Sequence, residues 1–180
     1  MKEYFVNDTY NTPAKTGFMP LDWILLRSRW ALLVKFMFIV FRSRRKALQE
    51  NYDDSAWADS SYDCLYLMEK VGGKFSVAGL DHIRNLDGPV VFIGNHMSTL
   101  ETLILPVLIA PLRRVTFVVK EKLVKGPVFG PVMRSRKPIT VGRTDPRKDL
   151  EAVLTEGEKK LSEGSSIIIF PQSTRKVNFN

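Results

Sequence analysis

Four short apolar runs, spaced by helix-length segments, constrain this chain more than any other feature. They are Val90–Ile93, Val115–Val119, Ile139–Val141 and the stretch "SSIIIF" from Ser165 to Phe170. Runs of this length, rich in Val and Ile and free of charge, read as buried strands. An apolar helix is expected between the first two, from about Thr99 to Leu112, with Pro106 bending it. "TDPRKDLEAVL" begins another: Asp145 suits the cap, Pro146 the first helical position, and Gly164 the stop. Strands alternating with helices predict an α/β domain, a layered mixed sheet with flanking helices.

Upstream, Leu21 to Lys46 reads as one long amphipathic helix. Arg27, Lys35, Arg42, Arg45 and Lys46 fall in a stripe roughly 100° wide, opposite Trp30, Leu33, Met37, Val40 and Phe41, while Arg29 and Phe38 break the pattern. Basic heads opposite aromatic and aliphatic side chains suit a helix lying in a membrane interface. The alternative is a terminal helix packed on the domain with its basic face solvated. Trp30 to Phe41, the longest apolar stretch, is interrupted by Lys35 and is shorter than the about twenty residues a span requires. Met1 to Pro20 is polar and lacks the apolar core of a signal peptide. Residues 50–61 read as a polar acidic connector, and Tyr62 to Val71 as a short helix stopped by Gly72-Gly73. The expected division is 1–50, a polar lead and interfacial helix, and 51–180, the α/β domain.

Charge is uneven. Of the net +8, residues 113–148 hold eleven Lys/Arg against Glu121 and Asp145, whereas 47–75 hold six acids against two Lys. Basic regions of this density suit anionic partners: nucleic acid, lipid headgroups or phosphorylated small molecules. A single cysteine, Cys64, excludes an internal disulfide, and two His with one Cys do not make a usual zinc site.

The chemistry-bearing stretch is "VVFIGNHMSTLE", Val90 to Glu101, which places His96 just past the end of a strand, where α/β sheets gather their ligands. Glu101 has a bland reading: Ser98-Thr99-Leu100-Glu101 is a capping box. The other reading is a dyad. With His96 outside the helix and Glu101 in its first turn, the carboxylate reaches back, fixes the tautomer and supports the imidazolium of a general base. "ITVGRTD" and "IIIFPQSTR" set Arg143 and Arg175 just beyond two further strands. Arginines at such exits give bidentate recognition of phosphate, although each alone also reads as a solvated loop residue.

In this order, "NHMSTLE", "KEKL", "GPVFG", "ITVGR" and "FPQSTR" resemble the blocks of the glycerolipid acyltransferases, especially the 1-acylglycerol-3-phosphate acyltransferases; the similarity covers roughly residues 75–176. The family pattern has Asp where Glu101 stands, Glu at Gln172 and Gly at Ser173, and it continues with further sheet beyond the third block, which predicts a C-terminally incomplete domain.

The resemblance implies acyl transfer from a thioester, acyl-CoA or acyl carrier protein, to the free hydroxyl of a lysophospholipid. The acceptor it implies is 1-acylglycerol-3-phosphate, and the product phosphatidic acid. His96 and Glu101 are then catalytic. Arg143 and Arg175 hold the phosphate, with Lys120 as a further candidate, and Gln172, Ser173 and Thr174 contact the glycerol. No metal or redox cofactor is called for. Membrane lipids are the expected partners, at the cytoplasmic face of the membrane, peripheral or monotopic. Two rivals stand beside this reading: a membrane-binding scaffold of the same fold without activity, and a nucleic-acid-binding module. The latter lacks basic residues interleaved with an aromatic platform.

Overall fold

The computed structural model describes residues 4–14 and 29–172. Strand β1 (Tyr10–Asn11) pairs antiparallel with β2 (Ser76–Val77) in a small ribbon. Helices α1 (Arg29–Leu48) and α2 (Asp54–Lys70) lie between them, and α3 (Leu80–Arg84) follows. The main sheet is built from β3 (Val91–Ile93), β4 (Val115–Lys120), β5 (Ile139–Val141) and β6 (Ser166–Ile169). Helix α4 (Leu100–Ile109) joins β3 to β4; α5 (Glu121–Lys125) and α6 (Gly130–Ser135) join β4 to β5; α7 (Pro146–Ser162) joins β5 to β6.

The order across the sheet is β3-β6-β4-β5, and every pairing is parallel. The α/β expectation holds, but this sheet is parallel, not mixed. The register sets Ile93 opposite Ile169, Phe117 opposite Ile168 and Lys120 opposite Val141. Because the strands run one way, their carboxyl ends share one edge, and the loops carrying residues 94–99, 142–145 and 170–172 leave from it. Parallel strands need both faces covered. The aromatic side of β4 packs on α2, where Trp57 meets Phe117 edge-on at 5.7 Å between centroids. On the other side, Gly157 of α7 sits so close to the sheet that an added Cβ would touch Ile167.

Residues 50–61 are mostly not a connector. Helix α2 starts at Asp54, capped by Asp53, whose carboxylate accepts from Ala56 N at 2.8 Å. The apolar periodicity is hidden because Ser60 and Ser61 occupy buried positions. Ser60 Oγ donates to Trp57 O and lies 2.6 Å from Tyr52 Oη. Ser61 solves a different problem. Pro106 interrupts the ladder of α4, and the Ser61 hydroxyl inserts there, donating to Leu103 O and accepting from Val107 N at 2.9 Å. The Gly/Pro-rich passage "VKGPVFGPVMRSRKP", residues 124–138, carries the end of α5 and the whole of α6.

Helix α1 is not a free amphipathic rod. Its expected start at Leu21, and Arg27, lie outside the described residues. Phe36 and Ile39 pack on the cluster around Cys64 and Leu65, and Val40 and Ser43 are buried. Val40 therefore belongs to the domain side, not to an outer face. Arg42 of the basic stripe pairs with Asp63, and Arg44, outside that stripe, donates from Nε to Pro127 O at 3.1 Å. What remains outside is Leu33, Val34, Phe38 and Phe41, with Val34 67% and Phe38 68% exposed. The lead is anchored as well: Phe5 is buried, Tyr4 Oη donates to Asp59, and Tyr10 Oη donates to Glu69 at 2.6 Å.

Candidate active site

His96 leaves the sheet edge three residues after β3, and Glu101 sits in the first turn of α4. His96 Nδ1 lies 3.0 Å from Glu101 Oε1. The tautomer protonated at Nδ1 donates to the carboxylate and leaves Nε2 as the basic nitrogen. Glu101 also serves the helix end. Its Oε1 accepts from Ser98 N at 2.7 Å, its Oε2 accepts from Ser98 Oγ, and Ser98 Oγ accepts from Leu100 N at 2.9 Å. One carboxylate thus makes both the contact at the helix start and the contact with the imidazole. Burial acts to raise its pKa, but hydrogen bonds from the Ser98 hydroxyl, from backbone N–H groups and from His96 outweigh it and hold the carboxyl at about 2. Glu101 stays ionised at any ordinary pH.

The third strand exit fixes the histidine from the other side. The Phe170 ring stacks on the imidazole, centroids 4.8 Å apart. Gln172 Oε1 accepts the backbone N–H of His96 at 2.9 Å. At Gly94 an added Cβ would come 3.3 Å from Phe170 Cε1 and press on the ring that supports His96.

Arg143 follows β5 with φ of 63°, a left-handed conformation unusual for a side-chain-bearing residue. The consecutive N–H groups of Gly142 and Arg143 donate to Asp149 Oδ1 and Oδ2, each at 2.8 Å. His96, Lys120 and Arg143 line one cavity of about 630 Å³. Lys120 and Arg143 are exposed, whereas the remaining wall is mostly apolar and buried: Val40, Trp57, Cys64, Phe117 and Val132. A cavity of this size takes an extended, largely apolar ligand. The site can therefore abstract a proton at Nε2 beside a cationic rim and a long greasy wall.

Against known proteins, residues 74–180, more than half of the chain, match the family model described as Acyltransferase. This chain belongs to the acyltransferase family. A 1-acyl-sn-glycerol-3-phosphate acyltransferase of Pseudomonas aeruginosa is 30% identical over 149 residues, covering 81% of this chain and 53% of the relative. One from Chlamydomonas reinhardtii is 24% identical over 147 residues, covering 82% of this chain and 41% of the relative. A chloroplast enzyme of the same name from Arabidopsis thaliana is 28% identical over 102 residues, 57% of this chain and 28% of the relative. The chain thus spans about half or less of the length of these relatives. No solved structure matches it significantly.

The structure brings His96, Glu101, Arg143 and Lys120 of this acyltransferase chain to one sheet edge. Ser173, Thr174 and Arg175 lie outside the described residues. Gln172, expected against a glycerol, accepts the His96 backbone N–H through its Oε1. The basic 113–148 block is not one surface. Arg113 donates to Gly88 O and Ile83 O, Arg134 to Val124 O, and Arg136 to Tyr52 O while lying over the Trp57 ring at 4.7 Å. Cys64, which belongs to none of the sequence blocks quoted above, lines the same cavity. Burial pushes its thiol up to about 12, so it carries no thiolate at neutral pH. Phe170 and Asp149 were also missed. Their positions beside Pro171 and in a first helical turn carried the only local signal.

Proposed function

We propose that this chain carries the acyl-transfer site of a 1-acylglycerol-3-phosphate acyltransferase, moving a fatty acyl group from a thioester to the free hydroxyl of the lysophospholipid and yielding phosphatidic acid. The observation that carries the reading is the single cavity shared by His96, Lys120, Arg143 and a long apolar wall. His96 Nε2 takes the hydroxyl proton as that oxygen attacks the thioester carbonyl. Glu101 keeps the ring oriented and offsets the charge of the imidazolium. The tetrahedral intermediate then expels the thiolate, which receives the proton from His96. The C–O bond forms, the C–S bond breaks, and the proton ends on sulfur.

Arg143 and Lys120 hold the acceptor phosphate, joined by Arg175, with Ser173 and Thr174 toward the glycerol. The acyl chain lies along Phe117, Trp57 and Val132. The donor is acyl-CoA or acyl carrier protein, and the reaction balances without a cofactor. Leu33, Val34, Phe38 and Phe41 of α1, with Lys35 and Arg45 nearby, support peripheral or monotopic residence on an anionic lipid surface at the cytoplasmic face. No helix among the described residues is long and apolar enough to cross a membrane.

The test is thioester release with a panel of lysophospholipids, on this chain and on any longer product containing it. Release specific to 1-acylglycerol-3-phosphate is expected. Binding to anionic vesicles with no release from any acceptor would instead support a scaffold.

A further inference from the structure

The Arg143 backbone is held in a conformation that its own residue type disfavours, and what holds it is a carboxylate six residues on. Gly142 and Arg143 turn two successive N–H groups to one side, a concavity suited to an anion. Asp149 fills it from the first turn of α7, one oxygen to each N–H. Asp145 already takes Arg147 N and Lys148 N at the end of that helix. The Asp149 carboxylate is therefore not needed as the cap and is committed to the loop.

The consequence reaches the cavity. A residue at φ of 63° directs its side chain differently from one at negative φ, and Arg143 in this conformation lines the cavity with His96. Without two acceptors, the loop relaxes toward negative φ and the guanidinium leaves its place. We infer that Asp149 is a positioning residue: by clamping the Gly142 and Arg143 backbone, it aims the Arg143 guanidinium so that the site discriminates acceptors bearing a phosphate from those without one. This rests on the phosphate reading of Arg143 given above.

The experiment measures equilibrium binding of 1-acylglycerol-3-phosphate and of 1-acylglycerol in the absence of donor. The proteins are the native chain, D149A, D149N, R143A and the D149A/R143A double variant, each with its thermal midpoint recorded. The native chain is expected to favour the phosphorylated acceptor. D149A should lose about tenfold in affinity for that acceptor alone, and D149N, with one acceptor oxygen, should fall between. The double variant should match R143A, since a clamp has nothing to aim once the guanidinium is gone. Equal weakening of both acceptors in D149A, an unchanged ratio, or additive losses in the double variant would overturn the inference and leave the proposed function standing. A native chain that binds both acceptors alike would overturn the phosphate reading, and this inference with it.

Discussion

Gln172 Oε1 accepts the backbone N–H of His96 at 2.9 Å, across 76 positions of sequence. The contact ties the exit of β6 to the exit of β3, and Phe170 adds a ring against the imidazole. His96 is therefore fixed at its ring nitrogen by Glu101 of α4, and at its ring face and backbone by Phe170 and Gln172 of the segment after β6.

Replacing His96 by Ala should lower turnover by about 10²-fold or more, the usual contribution of a positioned general base, while the thermal midpoint hardly moves. Gln172→Ala should lower kcat by a smaller factor and leave the acceptor KM near its native value, because its Oε1 is committed to the His96 backbone. Steady-state kinetics with both substrates varied decides the matter. A Gln172→Ala protein with raised KM and native kcat would return that side chain to the substrate-binding set.

Glu101 gives an acid-side prediction. Its folded pKa is about 2 against an ordinary 4.5, so the carboxylate favours the native state above pH 4.5. That contribution is lost as pH falls from 4.5 toward 2. Its ceiling is about 3 kcal/mol by the pKa difference, and less after partial screening by solvent. Denaturant unfolding of native and Glu101→Gln chains should show a gap that closes over that window. A gap of constant size down to pH 2 would mean that the carboxylate charge has no part in holding the turn.

Cys64→Ala should keep most of the turnover. Its thiol lines the cavity, but burial keeps it protonated, and the mechanism forms no acyl-enzyme. Loss of acyl transfer with a native thermal midpoint, together with a thioester adduct on Cys64 in the native chain by mass spectrometry, would replace the direct mechanism with a covalent one.

Phe38→Glu with Phe41→Glu should weaken binding to anionic vesicles several-fold with little change in the thermal midpoint, since both are among the exposed large hydrophobic side chains of α1. Sedimentation with vesicles of mixed neutral and anionic lipid measures this. Native-level binding by the double variant would move the lipid contact elsewhere.

Much of the scaffold was legible because its signals are local. The Ile and Val runs marked β3 to β6, Asp145-Pro146 marked the start of α7, and Ser98 to Glu101 marked the start of α4 with His96 two residues ahead. Helix α2 was half missed because Ser60 and Ser61 stand where periodicity asks for apolar groups, and the partners that satisfy their hydroxyls include Leu103 O and Val107 N, far along the chain.

By itself, then, the sequence determined the four strands of the main sheet and the starts of α4 and α7, and it set an imidazole five residues before a carboxylate at a helix start, for these depend on spacing within a turn or two. The tertiary structure alone decided that β6 lies between β3 and β4, and so that Gln172 and Phe170 brace His96. It likewise decided that Trp57, Cys64 and α1 wall the cavity into which His96 and Arg143 face. Crossover connections set those neighbours, and a crossover leaves no mark in the spacing of the residues it brings together.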